Sequence, residues 1–252
     1  MSTDIPPGKT TDGFWVANDD IGVLRAIEGS TADFVGIDCQ HGIEDHTLRR
    51  MLEVPSSVPR YVRVADSSPQ KIGYALDLGA DGIIVPMVNS VEQAQMIARA
   101  AHYPPRGERS YGPVSTWLSR DVSELDSRVT ILAMIETESG LHNAEAILNV
   151  DGIDGCYVGP ADLGIALGHG ANQFPPSEPM RAALSLIASA AQRTRKIAAL
   201  HAGDATLAHT FRELGFTMLT LANGERLVAA GIDQQLKASG AEARFATMNS
   251  PY

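Results

Sequence analysis

Eight short apolar runs, each followed by a stretch of helical spacing, divide this chain from one end to the other. The runs are Phe14–Ala17, Phe34–Asp38, Tyr61–Val64, Gly82–Pro86, Thr130–Glu136, Gly155–Val158, Lys196–Leu200 and Thr217–Ala222. Most are continuously apolar, as strands buried on both faces read. Eight strand–helix units predict an α/β fold, a closed (β/α)8 TIM barrel over an open doubly wound sheet. The helices agree. Pro69–Gly79 carries Ile72, Ala75 and Leu76 at helical spacing and ends on glycine. Ser90 with Gln93 makes a capping box ahead of the stripe Val91, Ala94, Ala98 and Ala101, and Met180–Gln192 supplies a helix before the seventh strand.

The 252 residues suit one barrel as a single domain over 1–252, with 1–11 and 240–252 as terminal extensions. The weakly patterned tail Gly240–Tyr252 either frays or lies across a neighbouring subunit. Two segments break the rhythm, His102–Ser127 and Gly168–Pro179. Both are expected at the active rim or its flanks, where long loops are usually functional. A net charge of −10 and a pI near 5.1 make nucleic acid a poor partner. Cys39 and Cys156 form no CxxC pair, the N-terminus has no apolar signal core, and no apolar stretch is long enough to span a bilayer. A soluble, cytoplasmic protein without membrane partners is expected.

Barrel active sites are built at the C-terminal ends of the strands. There this chain places Asp38 and His41 after strand two, Arg63 in strand three, Glu136 on strand five and Asp162 after strand six. Side chains alternate along a strand, so Val35 and Ile37 oppose Gly36 and Asp38, while Val62 and Val64 oppose Arg63. With the apolar faces on the helices, Asp38 and Arg63 point into the barrel near its top. An unpaired guanidinium is costly there, and a bound anion or enolate oxygen is the expected partner.

Alone, Glu136 reads as an acid closing a strand, and Asp162 as an acid favouring a helix start. Together they end successive strands, and two carboxylates with open positions suit a hard divalent cation, Mg²⁺ or Mn²⁺. The turn Gly159-Pro160 delivers Asp162, and backbone N–H groups around Ala161 and Asp162 are placed to receive a substrate carboxylate. His41, three residues past Asp38, reads as an Asp-oriented acid/base group. A competing ligand set, His41, Glu44 and His46, lacks the helical i, i+4 spacing of known zinc motifs. His201 follows strand seven at the same rim. No G-x-G-x-x-G follows a strand, and there is neither a P-loop nor a G-x-S-x-G elbow. Lys196 begins its strand at the wrong rim for a Schiff base.

Several stretches then stand together in a familiar order: Gly36-Ile37-Asp38-Cys39-Gln40-His41, Val62-Arg63-Val64, Leu76-Asp77-Leu78-Gly79-Ala80, Val85-Pro86-Met87-Val88, Tyr103-Pro104-Pro105-Arg106-Gly107-Glu108-Arg109, Ile135-Glu136 and Gly159-Pro160-Ala161-Asp162-Leu163. In these the chain resembles the HpcH/HpaI family of metal-dependent, class II pyruvate and hydroxyketoacid aldolases. The resemblance implies that Glu136 and Asp162 hold Mg²⁺, Mn²⁺ or Co²⁺ and that Arg63 holds the enolate and aldehyde oxygens. It makes His41 the acid/base group, with Asp38 or Asp77 as its carboxylate partner. It also implies a homo-hexamer with a C-terminal helix swapped between neighbours. Gln40 and Met134 stand where relatives often have Glu and Gln. Met134 shares the face of Glu136, which bears on the 2-oxo acid held, and with the distinct loop Ser110-Tyr111-Gly112-Pro113 it argues against fixing the acceptor as a dicarboxylate semialdehyde.

The activity implied is reversible cleavage or formation of 4-hydroxy-2-oxo acids from pyruvate or hydroxypyruvate and an aldehyde. A base, metal-bound hydroxide or His41, removes the C3 proton, and His41 protonates the new alkoxide. The alternatives are a metal-dependent oxaloacetate decarboxylase, a CoA-thioester lyase of the same superfamily, and a non-enzymatic binding barrel.

Overall fold

The structure, a computed structural model, describes residues 10–240. Eight parallel strands close into a barrel in chain order: β1 Thr11–Val16, β2 Phe34–Asp38, β3 Arg60–Arg63, β4 Gly82–Val85, β5 Thr130–Met134, β6 Gly155–Val158, β7 Ile197–His201 and β8 Met218–Asn223. Around them lie α1 Ile21–Glu28, α2 Asp45–Met51, α3 Pro69–Leu78, α4 Val91–Ala101, α5 Val122–Ser127, α6 Glu138–Leu148, α7 Pro160–Ala166, α8 Glu178–Thr194, α9 Ala208–Glu213 and α10 Gly224–Ala238. The expected (β/α)8 class is the one observed. Strand bounds differ from expectation by one residue at β3, β4, β7 and β8, by up to three at β1 and by two at β5. β1 already begins at Thr11, β5 stops two residues before Glu136, and β7 runs one residue further and includes His201. The rest of the expected extensions, residues 1–9 and 241–252, lies outside the described residues.

Side-chain alternation divides the apolar residues into two layers. Trp15, Phe34, Tyr61, Ile84, Leu132, Met134, Tyr157, Ala199 and Met218 fill the barrel. The opposite strand faces, including Val35, Ile37, Val62, Ile83 and Val85, pack with Leu24, Leu48, Ile72, Ile97 and Ile147 from the helices. Gly36 is what lets Trp15 lie across β2, since a Cβ there would sit 2.2 Å from the indole.

Local signals behave as the sequence predicts, with one variation. Gly79 ends α3 at φ 105°, a left-handed cap that glycine adopts without strain. Ser90 Oγ accepts the Gln93 N–H at 3.3 Å, but Gln93 Oε1 accepts the Asn89 N–H at 2.7 Å in place of Ser90's own.

The segment His102–Ser127 does not belong to the active rim. It follows a helix, and each helix returns the chain to the N-terminal rim of the barrel. There Arg109 Nη2 donates to Asp77 Oδ1 at 2.6 Å, Ser115 Oγ to the Leu78 carbonyl at 2.6 Å, and Trp117 Nε1 to the Leu52 carbonyl at 3.2 Å. The segment closes the floor. Gly168–Pro179 follows β6 and α7 and does reach the active rim, through Phe174. Among the described residues no helix is long and apolar enough to cross a membrane.

Candidate active site

Asp38 and Arg63 stand opposite each other in the β2–β3 register, both facing inward. Arg63 Nε donates to Asp38 Oδ1 at 2.9 Å and Nη2 donates to Oδ2, a two-point pair with both side chains buried. The partner expected from a ligand is thus supplied by the chain itself. The remaining Nη1 has no protein partner among the described residues. Burial alone would raise the Asp38 carboxyl. Arg63, the Gln40 N–H at 3.0 Å and the nearby His41 outweigh it and hold Asp38 below the usual carboxylate range. Trp15 Nε1 approaches Asp38 Oδ2 at 3.5 Å, and the Arg63 guanidinium lies 5.3 Å from the centre of the same indole.

Glu136 lies two residues past the end of β5 and is 2% exposed. Its Oε1 accepts the Met87 N–H at 2.8 Å, and its Oε2 is buried without a hydrogen-bond partner among the described residues. Met87 makes that bond from a left-handed backbone, φ 56°, unusual for a side chain of its size and of the kind that clusters at functional sites. Burial, and then the charge of Asp162, push the Glu136 carboxyl up to about 7 against the opposing Met87 N–H and Arg63. Asp162 sits in the first turn of α7, whose N-cap is Gly159. A Cβ on Gly159 would lie 3.0 Å from Glu136 Oε2 and 3.9 Å from Asp162 Oδ2, so both oxygens flank the space that glycine leaves open.

An orphaned buried carboxylate oxygen beside a second carboxylate is costly without a cation between them. Two hard oxygen donors, with room for substrate and water, fit a divalent ion such as Mg²⁺ or Mn²⁺. Among the described residues no cluster of three acidic, His or Cys groups offers a closed cage. The rival set fails on this ground too: His46 Nδ1 faces Glu44 Oε2 at 3.4 Å on the exposed surface.

A cavity of about 170 Å³ opens over these groups, lined by Asp38, His41, Arg63, Gly159, Pro160 and Asp162. Trp15, Ala17, Met134, Tyr157, Phe174, His201 and Asn223 complete it. His41 is therefore in place, but the expected bond from its ring to Asp38 is not made. Asp38 Oδ1 instead receives the His41 backbone N–H at 3.4 Å. Nor does Asp77 approach His41 within this chain. It lies at the C-terminal end of α3, so the helix carries it to the floor, where it pairs with Arg109. Ala161 is buried behind the first turn of α7, whose early N–H groups have no acceptor within the helix.

Sequence reasoning missed Trp15, the Met87 amide, Tyr157, Phe174 and Asn223. The register of neighbouring strands was the available signal for the Asp38–Arg63 pair. Nothing in the local sequence marks Phe174.

Fold and site together define a (β/α)8-barrel enzyme with a paired-carboxylate centre at its C-terminal rim. The family model described as HpcH/HpaI aldolase/citrate lyase matches residues 12–235, and the chain belongs to that family. It is 36% identical over 252 residues to the 4-hydroxy-2-oxovalerate aldolase of Rhodococcus jostii (strain RHA1), covering 95% of this chain and 93% of that protein. It is 36% identical over 209 residues to the hydroxypyruvate/pyruvate aldolase of Rhizorhabdus wittichii, covering 80% and 83%. The crystal structure of an HpcH/HpaI aldolase from Desulfitobacterium hafniense DCB-2 superposes with a TM-score of 0.82 at 24% identity, covering 95% and 96% of the two chains. This chain is an enzyme of the lyase class, an aldolase.

Proposed function

We propose that the chain is a divalent-metal-dependent aldolase that joins pyruvate or hydroxypyruvate to an aldehyde, and cleaves the resulting 4-hydroxy-2-oxo acid. The observation that carries this reading is the orphaned Glu136 Oε2 beside Asp162 at the mouth of α7. Glu136 and Asp162 would hold the ion. When bound, a divalent cation supplies Lewis acidity that stabilises negative charge on the keto oxygen of a 2-oxo acid.

The chain's own residues do the rest. The first-turn N–H groups of Ala161 and Asp162, in the Gly159-Pro160 turn, receive the substrate carboxylate. Arg63, fixed by Asp38, offers Nη1 to the oxygen that gains charge as the C3 proton leaves, and then to the aldehyde oxygen. His41, at the cavity wall, or a hydroxide takes up the C3 proton, and His41 delivers a proton to the new C4 oxygen. Trp15 and Phe174 present apolar surface that keeps water from the carbanion. The relatives named as 4-hydroxy-2-oxovalerate and hydroxypyruvate/pyruvate aldolases support the donor class.

We also infer a homo-oligomer, a hexamer by resemblance. In α10 only Gly224 is buried, while Val228 and Ile232 stand 46% and 51% exposed. A second copy of this chain is the occupant proposed for that face.

The reading is tested by following deuterium exchange at C3 of pyruvate, and aldol formation with a panel of aldehydes. The assays run after chelation and again after adding Mg²⁺, Mn²⁺ or Co²⁺. Activity is expected to vanish on chelation and to return with metal. Full turnover in excess chelator would refute metal dependence, and CO₂ release from oxaloacetate without any aldol product would favour the decarboxylase.

A further inference from the structure

The cavity wall away from Glu136 and Asp162 is built by β7, β8 and β1, and it is polar without being charged. His201, the last residue of β7, meets the Tyr157 hydroxyl through Nδ1 at 3.3 Å, and that hydroxyl meets Thr220 Oγ1 at 2.8 Å. The imidazole also packs edge-on against Trp15, with centroids 5.5 Å apart and planes at 86°. Three strands therefore fix the ring, yet its Nε2 has no hydrogen-bond partner among the described residues, and the residue lines the cavity. Burial, reinforced by the Arg63 charge, pushes the imidazole down to about 4, so it is neutral at physiological pH. Asn223 ends β8 on the same wall. Its Oδ1 accepts the Arg226 N–H at 3.0 Å to cap α10, and its Nδ2 has no partner among the described residues.

A polar nitrogen held so firmly, at the cavity wall and unpaired among the described residues, is placed to hydrogen-bond a ligand. Among the described residues Arg63 is the sole Lys or Arg lining this cavity, and it is bound to Asp38. A carboxylate laid against the His201–Asn223 wall would lose its hydration, and the two cations that reach His201, Arg63 and Arg226, are already paired with Asp38 and Asp204. An alkyl chain would leave Nε2 unpaired.

We propose that His201, with Asn223 beside it, selects acceptor aldehydes bearing a hydroxyl next to the carbonyl over alkyl or carboxylate-bearing ones. This rests on the aldolase reading, in which the 2-oxo acid occupies the Glu136–Asp162 side and the acceptor faces the opposite wall.

The test compares glycolaldehyde with acetaldehyde, which differ by one hydroxyl, and with succinic semialdehyde. Pyruvate is the donor and Mn²⁺ is present throughout. The ratio of kcat/KM for glycolaldehyde over acetaldehyde is expected to fall at least about tenfold in His201→Leu, chiefly through KM for glycolaldehyde, and to recover in part in His201→Gln. The same ratio in His201→Leu as in the wild type overturns the assignment, as does a wild type that favours succinic semialdehyde. Should His201→Leu fail to fold, Tyr157→Phe removes the brace from Nδ1, and an unchanged ratio there is equally decisive against it. Deuterium exchange at C3 of pyruvate by the wild type separates the two levels. Exchange without hydroxyl selection removes only the role of His201, whereas absent exchange overturns the aldolase reading and this assignment together.

Discussion

The Glu136 carboxyl ionises late because the folded chain buries it and sets Asp162 beside it. Its value of about 7 exceeds the 4.5 of an ordinary glutamate, so between these limits the folded chain keeps a proton that the unfolded chain has released. The stability this group contributes is present below the lower value and lost as pH rises through the upper one. Denaturant titrations of metal-free protein should therefore show Glu136→Gln gaining on the wild type between pH 5 and pH 8. Metal competes with the same proton. Mn²⁺ affinity, followed by calorimetry, is expected to weaken toward about tenfold per pH unit below the Glu136 value. A flat affinity profile would place the ion elsewhere. Arg63 acts twice. Arg63→Ala removes a charge from the reacting oxygen, at a cost to turnover of about 3 kcal/mol. It also strands a buried Asp38, at a cost to stability of about 3–5 kcal/mol. Turnover and unfolding measured on the same variant should both fall, and wild-type turnover would remove Arg63 from the chemistry.

Among the elements, the β6–α7 turn is the most exacting. Gly159 has φ −96°, a backbone open to any residue, so alanine meets no conformational obstacle. Its Cβ would nevertheless lie 3.0 Å from Glu136 Oε2 and 3.3 Å from Met134 Cε. Gly159→Ala should keep the melting temperature within a few degrees while weakening Mn²⁺ binding by about tenfold or more, the scale of disturbed support around a metal ligand. Unchanged binding would mean that the space beside Gly159 is not the ion's. The β4–α4 turn supports the same centre from the other side, since Met87 accepts a left-handed backbone to aim its N–H at Glu136.

At the scale of the whole molecule, α10 has little of its surface covered among the described residues. Light scattering behind size exclusion is expected to give a mass several times 26.8 kDa. Placing charges in that face, as Val228→Glu with Ile232→Glu, should lower the mass toward one chain. A wild-type monomer would contradict the oligomer.

Much of this was legible in the residues alone. Alternation along β2 and β3 dictates that Asp38 and Arg63 point inward, and successive strand ends bring Glu136 and Asp162 together, because both follow from the period of a strand and the rule of a parallel barrel. What only the tertiary structure decided depends on distances between elements far apart in the chain. Arg63 turned out to be paired by Asp38 across one strand gap instead of awaiting a ligand. Asp77 fell to the opposite end because its helix runs against the strands, which local spacing does not encode. Likewise His201 took its partners from β1, β6 and β8, contacts that exist only once the sheet has closed on itself.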